Sequence, residues 1–177
     1  IVGYGNIGQK VARVAKAFGM WVIATRKSAT KQGRARYADL ILPQAELGRL
    51  LADSDFVVLA TPLTPATYHL LGAAEFRLMK KDALLVNVSR GPVVDEAALA
   101  EALREKRIGG AALDVFEQEP LPRESPLWDL PNLLYSPHIA GYIAAYPSLV
   151  QDLFVRNLER YVKGERLLTQ VNKKRGY

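Results

Sequence analysis

Short apolar runs alternate with helical patterns along this chain, and that alternation constrains the fold more than any other feature. Ile1-Val2 is the end of one run, and further runs cover residues 21–25, 56–60, 83–87 and 110–113. Runs this short and continuously apolar are typical of strands that are covered on both faces. Strands that alternate with helices form βαβ units with right-handed crossovers. The sequence therefore predicts an α/β fold with a doubly wound parallel sheet.

The segments between these runs predict helices and loops. Apolar residues recur at helical spacing over residues 7–18, 46–52, 74–79, 95–106 and 143–164. Asp95 is expected to cap the fourth of these helices, because an aspartate side chain accepts hydrogen bonds from the first N–H groups of a helix. Repeated prolines predict loops over residues 61–65 and 117–137.

The first turn contains the spacing Gly3-x-Gly5-x-x-Gly8 between a strand and an amphipathic helix. In that context the spacing is typical of a dinucleotide-binding site. Gly3 allows a tight turn, Gly5 lets a pyrophosphate approach the backbone, and Gly8 lets the helix pack closely on the sheet. The free N–H groups near Asn6 and Ile7 are expected to face the phosphates.

The end of the second strand indicates which dinucleotide is bound. A site that prefers NAD places Asp or Glu here, where it accepts hydrogen bonds from the ribose 2′-hydroxyl. This chain instead has Thr25-Arg26-Lys27-Ser28, without an acid. Arg26 and Lys27 suit a 2′-phosphate, with Thr25 or Ser28 as hydroxyl donors. The sequence therefore favours NADP over NAD.

Charge and composition exclude several classes of protein. The net charge is +6, but the basic residues are scattered and the nearest thing to a run is Lys173-Lys174-Arg175, so we expect no nucleic-acid partner. No apolar run approaches the ~20 residues that cross a bilayer, so no membrane partner is expected. The absence of cysteine excludes disulfides and thiolate chemistry, and no histidine pair has metal-ligand spacing, so no metal site is expected. The fold favours the cytoplasm.

Three polar residues stand out downstream. Arg90 and Glu119 each come just past a predicted strand, and His138 follows the proline-rich stretch. In open α/β sheets, ligands bind outside the carboxyl ends of the strands. We therefore expect all three side chains to meet in one crevice with the cofactor.

The motifs around these residues resemble those of a known family. Gly3-Tyr4-Gly5-Asn6-Ile7-Gly8, Asn87-Val88-Ser89-Arg90-Gly91, Asp114-Val115-Phe116-x-x-Glu119-Pro120 and Pro137-His138-Ile139-Ala140-Gly141 occur in this order. The loop Thr61-Pro62-Leu63-Thr64-Pro65-x-Thr67 also matches. Together they resemble the signature segments of the D-isomer-specific 2-hydroxyacid dehydrogenases, over nearly the whole chain.

The resemblance implies hydride transfer between NAD(P)H and a small 2-oxo or 2-hydroxy acid, with D specificity. It implies that Arg90 binds the substrate carboxylate, that His138 is the acid/base and that Glu119 orients it. Histidine titrates near neutral pH, and arginine presents a planar charged fork to a carboxylate. Asp114 is implied to contact the nicotinamide end of the cofactor. The remaining cofactor contacts are expected from Thr61, Pro62, Thr67, Val88, Ser89 and Gly141.

The resemblance also implies a two-domain enzyme and a homodimer. We expect residues 1–142 to form an NAD(P)-binding domain with a truncated first strand. Residues 143–177 are expected to be a helix and tail that pack on a substrate domain, whose N-terminal part is absent. The expected inner face of the helix is Val150, Leu153, Phe154, Leu158, Tyr161 and Val162. This chain alone should turn over little substrate, because cleft closure makes such a site productive.

Two alternative functions stay open. The chain could be a cofactor-sensing binding module or corepressor, although such a module has no need of the pair His138 and Glu119. It could also belong to a dehydrogenase of formate or phosphite, since the residues that contact the substrate tail would lie largely outside this chain.

Overall fold

The structure, a computed structural model, describes residues 1–173. The strands are β1 (Ile23–Arg26), β2 (Gly33–Ala35), β3 (Ala38–Pro43), β4 (Phe56–Leu59), β5 (Leu84–Asn87), β6 (Gly110–Leu113) and β7 (Leu133–Tyr135). The α-helices are α1 (Asn6–Ala17), α2 (Leu47–Asp53), α3 (Ala73–Leu78), α4 (Glu96–Arg104) and α5 (Tyr146–Val162).

The strands form a mostly parallel sheet whose two halves meet at Val2. One half has the order β4-β5-β6-β7 and is parallel throughout, and the other has the order β1-β3-β2 with β2 antiparallel. Val2 makes parallel bridges to Thr25 in β1 and to Leu59 in β4. The connections therefore run in opposite directions on the two sides of Val2, as in a doubly wound sheet. This confirms the predicted α/β fold.

Two apolar cores hold the helices on the sheet. The larger core contains fully buried side chains such as Leu59, Leu85 and Leu99 and packs α2, α3 and α4 against β4, β5 and β6. The smaller core packs α1 against β1 and β3 through Ala12 and Ile41. Burial of each leucine side chain stabilises the fold by about 1.5–3 kcal/mol. These cores therefore hold in place the strands whose ends carry the site.

The sequence patterns do not predict β2, β3 or β7. Strand β3 begins with Ala38-Asp39 and ends at Pro43, and the short strand β2 is largely exposed. Strand β7 forms an edge of the sheet, and its Leu133 side chain is buried while Leu134 has an exposed fraction of 75%. The prediction of a loop throughout residues 117–137 is therefore wrong at β7. Strands β2 and β7 have only three residues each and pair with β3 and β6, whereas β3 carries the apolar run Leu40-Ile41-Leu42, in which Ile41 and Leu42 are buried.

The predicted helix start at Asp95 is confirmed. The Asp95 carboxylate accepts a hydrogen bond from the Ala98 N–H group at 3.0 Å, and α4 begins at the next residue. This cap satisfies one of the N–H groups that a helix leaves unpaired at its start.

The chain divides into two compact units, Ile1–Pro137 and His138–Tyr177. The second unit contains α5, and the Asn157 amide oxygen accepts a hydrogen bond from the Leu168 N–H group at 2.7 Å after the helix ends. The expected inner face of α5 is largely exposed, with Phe154 at 65% and Leu158 at 50%. That a substrate domain covers this face stays a prediction.

Candidate cofactor and active site

In the glycine turn, residues 3–8, the backbone is tightly packed at Gly3 and Gly8 and open at Gly5. A Cβ atom on Gly3 would lie 2.7 Å from the Ala60 carbonyl oxygen, and Gly3 has φ +97°. A Cβ atom on Gly8 would overlap the Gly3 carbonyl group, whereas one on Gly5 would meet no atom within 4 Å. The turn therefore offers free backbone surface at Gly5, where a phosphate group can approach.

Helix α1 begins at this open surface. Gly5 is its N-terminal cap, no side chain caps it, and no acid lies in its first turn. Asn6 and Ile7 are exposed. The first N–H groups of a helix have no acceptor within the helix and carry partial positive charge, so this end favours an anion.

The end of β1 contacts the glycine turn through Thr25. This residue is buried, its hydroxyl lies 3.4 Å from the Gly3 nitrogen, and its carbonyl oxygen accepts a hydrogen bond from the Tyr4 N–H group at 3.0 Å. The next residues, Arg26 and Lys27, are exposed. Thr25 thus fixes the turn, while the two basic side chains lie at the surface beside it.

The connection after β4, residues 60–72, is called the β4 loop. Its Thr67 hydroxyl is buried, donates a hydrogen bond to the Pro62 carbonyl oxygen at 2.6 Å, and accepts one from the Thr64 N–H group at 2.8 Å. A Cβ atom on Gly3 would lie 3.1 Å from the Thr61 Cα atom. Thr67 therefore keeps this loop compact, and the loop lies against the glycine turn.

The connection after β5, residues 88–95, is called the β5 loop and is organised by Asn87. This buried amide accepts hydrogen bonds from the Ser89 N–H group at 3.0 Å and the Ser89 hydroxyl at 2.8 Å. It also donates to the Arg90 carbonyl oxygen at 3.1 Å. The Ser89 N–H group is thus engaged within the loop, next to the half-buried Val88. The sequence motifs assign Asn87 no role of its own, although its position at a strand end inside a motif is a signal for one.

The connection after β6, residues 114–120, is called the β6 loop, and its backbone touches the β5 loop directly. A Cβ atom on Gly91 would overlap the Phe116 carbonyl group. The Phe116 N–H group donates to the Glu119 carboxylate at 3.0 Å, and the exposed Arg90 precedes Gly91. The structure therefore places Arg90 and Glu119 on two loops that are in backbone contact.

Asp114 links the ends of three strands. It is buried, its N–H group donates to the Asn87 carbonyl oxygen at 3.0 Å, and its carboxylate accepts a hydrogen bond from the Ser136 hydroxyl at 2.5 Å. Asp114 thus lies at the carboxyl edge of the sheet, between the ends of β5 and β7.

Charge at this edge is predominantly acidic around the start of α4. Burial raises the pKa of Glu96, and the negative charges of Glu117 and Glu119 raise it further, while a hydrogen bond from the Glu117 N–H group opposes the shift. The Glu96 carboxyl group therefore lies in the field of two neighbouring carboxylates.

His138 is the first residue of the second compact unit. It is exposed and has φ +56°, in the left-handed region that non-glycine residues rarely adopt. Gly141 follows in the same unit, and a Cβ atom there would meet no atom within 4 Å.

Within residues 1–173, no cluster of acidic and histidine side chains is placed to hold a metal ion. No helix in that range has the length and apolar character needed to cross a membrane.

Residues 1–140 match the family model of the D-isomer specific 2-hydroxyacid dehydrogenase NAD binding domain. A glyoxylate reductase from Thermococcus gammatolerans is 44% identical over 173 residues, which are 98% of this chain and 51% of that protein. The chain thus spans about half the length of the curated relatives it matches.

Two solved structures show the same fold. A D-isomer specific 2-hydroxyacid dehydrogenase from Xanthobacter autotrophicus, in complex with NADPH and MES, has a TM-score of 0.88 and 38% identity and covers 99% of this chain and 54% of its own. An NADPH-dependent glyoxylate/hydroxypyruvate reductase from Sinorhizobium meliloti, in complex with NADP and sulfate, has a TM-score of 0.90 and 32% identity and covers 99% of this chain and 55% of its own. The resemblance inferred from the motifs is confirmed: the chain belongs to the D-isomer specific 2-hydroxyacid dehydrogenase family and carries its NAD-binding domain.

Proposed function

We propose that this chain is the cofactor-binding and catalytic part of a dehydrogenase that transfers a hydride between NAD(P)H and a 2-oxo or 2-hydroxy acid, with D specificity. The observation that carries the proposal is the backbone contact at Gly91, which sets Arg90 beside the loop of Glu119 at the carboxyl edge of the sheet. The glycine turn opens at the same edge, where Gly3 abuts the β4 loop. The names of the relatives, glyoxylate reductases among them, support a small 2-oxo acid as the substrate.

The cofactor proposed is NADP in preference to NAD. Arg26 and Lys27 are exposed directly after the buried Thr25, and the segment has no acid that would accept the ribose 2′-hydroxyl. Two relatives of known structure are complexes with NADPH or NADP. The open backbone of Gly5 and the start of α1 suit the pyrophosphate. Thr61, Pro62, Thr67, Val88, Asp114 and Gly141 complete the proposed cofactor contacts.

In the proposed mechanism, this chain binds the substrate and supplies the proton. The bound cofactor supplies the hydride that reduces the carbonyl carbon. The Arg90 guanidinium binds the substrate carboxylate through two parallel hydrogen bonds and orients the 2-oxo group. His138 donates its proton to the carbonyl oxygen, and the Glu119 carboxylate orients the imidazole and stabilises its protonated form. His138 follows Ser136 by two residues in the chain, and the Ser136 hydroxyl binds Asp114.

We also propose a domain organisation, an assembly and a cellular location for the protein. Residues 1–142 are proposed to be the NAD(P)-binding domain, and residues 143–177 a helix and tail that pack on a substrate domain through the exposed apolar face of α5. An exposed apolar helix face is typical of an interface. A homodimer in the cytoplasm, with no nucleic-acid or membrane partner, is the proposed assembly.

The experiment that tests the function is a cofactor-oxidation screen. The gene product that carries this chain is mixed with NADPH or NADH and a panel of 2-oxo acids, with formate and phosphite tested in the opposite direction with the oxidised cofactors. We expect reduction of small 2-oxo acids with NADPH preferred. Binding of the cofactor without turnover would favour a cofactor-sensing module, and oxidation of formate or phosphite would favour a different dehydrogenase.

The same screen on the 177-residue chain alone tests how much of the site it provides. We expect weak binding of the cofactor and little turnover. Turnover equal to that of the gene product would contradict the proposed need for a closing substrate domain.

A further inference from the structure

His69, to which the sequence motifs assign no role, contacts the loops that follow three neighbouring strands. It belongs to the β4 loop, and its backbone N–H group donates a hydrogen bond to the Pro92 carbonyl oxygen of the β5 loop at 2.8 Å. Its ring nitrogen Nε2 lies 2.9 Å from Oε1 of Glu117 in the β6 loop. One residue therefore joins three loops at the carboxyl edge of the sheet.

Glu117 in turn fixes the β6 loop to the start of α4. Its Oε1 atom accepts a hydrogen bond from the Glu96 N–H group at 3.2 Å, and its own N–H group donates to the Glu96 carboxylate. Asp95, the cap of α4, lies with Oδ2 4.0 Å from His69 Nδ1. The imidazole thus lies between Asp95 and Glu117, which belong to different loops. Glu117 is also joined to Glu96 by the reciprocal pair of hydrogen bonds.

The backbone of His69 is itself unusual. Its φ is +47°, in the left-handed region, and its ring stacks on Tyr68 with the ring centres 4.1 Å apart. Only about a third of each side chain is exposed, 33% for His69 and 35% for Glu117. A non-glycine residue keeps this backbone conformation only where its surroundings hold it, and such residues cluster at functional sites.

The three joined loops carry the residues proposed to act on cofactor and substrate. Thr67 lies in the β4 loop two residues before His69, Arg90 lies in the β5 loop two residues before Pro92, and Glu119 lies in the β6 loop two residues after Glu117. We propose that the pair His69 and Glu117 is a positioning element that holds Arg90 and Glu119 at their working separation. This inference rests on the proposed function for its catalytic consequence, but not for its structural one.

The structural consequence is tested by hydrogen exchange on the 177-residue chain. In Glu117→Ala we expect the amides of residues 88–94 and 114–119 to exchange about tenfold faster, while those of β1 and β3 are unchanged. Glu117→Gln keeps the accepting oxygen and should restore exchange to within about threefold. The matched control is Glu124→Ala, which removes an exposed glutamate of the same proline-rich region. Unchanged exchange over residues 88–94 in Glu117→Ala would overturn the proposal.

The catalytic consequence is tested on the gene product that carries this chain. In Glu117→Ala and in His69→Asn, kcat for 2-oxo acid reduction should fall at least about tenfold, with KM for the cofactor within about twofold, because small displacements of catalytic groups reduce turnover. Asparagine tolerates the left-handed backbone, so His69→Asn removes chiefly the reach to Glu117. A pair that only stabilises the fold would lower Tm and leave kcat of the folded enzyme unchanged, and that result would overturn the proposal. If the wild-type gene product reduces no 2-oxo acid, the proposed function fails, and hydrogen exchange still decides the inference.

Discussion

Substitution of Gly91 by alanine should separate the β5 loop from the β6 loop. The added Cβ would overlap the Phe116 carbonyl group and lie close to the Glu117 nitrogen, so the obstacle is backbone and cannot rotate away. Non-bonded carbon atoms prefer separations of about 3.5–4.0 Å, so the loops would have to move apart by more than about 1 Å. Overpacking of this kind costs about 1–3 kcal/mol, and more where the backbone is the obstacle.

The expected effects on stability and activity follow from that displacement. A loss of about 3 kcal/mol lowers Tm by about 6–12 °C in a domain of this size. A displacement of about 1 Å between Arg90 and Glu119 should lower kcat/KM for 2-oxo acid reduction by about a hundredfold. Differential scanning calorimetry on the chain and steady-state kinetics on the gene product measure the two effects.

The matched control is Gly5→Ala. A Cβ on Gly5 would meet no atom within 4 Å, and Gly5 has φ −92°, which alanine adopts without strain. Its Tm should change by less than about 2 °C, while cofactor binding should weaken because the Cβ occupies the proposed phosphate approach. An unchanged Tm and unchanged kinetics in Gly91→Ala would refute the argument that the contact at Gly91 builds the site.

Three further predictions concern other parts of the molecule. Asn87→Ala should lower the free energy of unfolding, measured by urea titration, by about 2–3 kcal/mol, because it leaves buried partners in the β5 loop without hydrogen bonds. A loss below about 0.5 kcal/mol would contradict this role. Arg26→Glu should weaken NADPH binding by at least about tenfold and NADH binding much less in calorimetric titrations, since it replaces a partner of the 2′-phosphate with an acid; equal losses for both cofactors would contradict a 2′-phosphate site. The Lys16 ammonium and the Val22 N–H group hold the pKa of Asp39 below its ordinary value. The resulting stability is present above the unfolded pKa of about 4 and is lost as pH falls through the folded value. Tm should therefore fall between about pH 5 and pH 3 less steeply in Asp39→Asn than in the wild type, and identical slopes would show that this pair does not contribute.

The fold could be predicted from sequence where the chain carries its own periodic signal. The apolar runs at residues 56–60 and 83–87 mark β4 and β5 by composition alone, although the structure fully buries only alternate residues and leaves Phe56 and Leu84 exposed. Strand β7 consists of only Leu133-Leu134-Tyr135 and lies between Pro131 and Pro137, so its run is too short to stand out from a loop. Its pairing with β6 depends on the neighbouring strand and cannot be read from the segment itself.

Some residues of the candidate site could likewise be predicted from the sequence, and others could not. Gly3, Gly5 and Gly8 could be assigned roles from spacing, because a tight turn, an open backbone and a close helix contact each require glycine. The contact between Gly91 and Phe116 joins loops that are far apart in the sequence, and nothing in either segment alone indicates it. The same holds for His69 and Glu117, since a side-chain pair between loops depends on how three strand ends are arranged.

The fate of the hydride shows directly whether this protein is a D-specific 2-hydroxyacid dehydrogenase. The gene product that carries this chain is supplied with glyoxylate or pyruvate and NADPH deuterated at the transferring position, and the product is analysed by mass spectrometry and chiral chromatography. We expect one deuterium at C2 of the 2-hydroxy acid and D configuration when pyruvate is the substrate. In His138→Asn the rate should fall by at least about a hundredfold. A product without deuterium at C2, an L product from pyruvate, or an undiminished rate in His138→Asn would contradict this expectation.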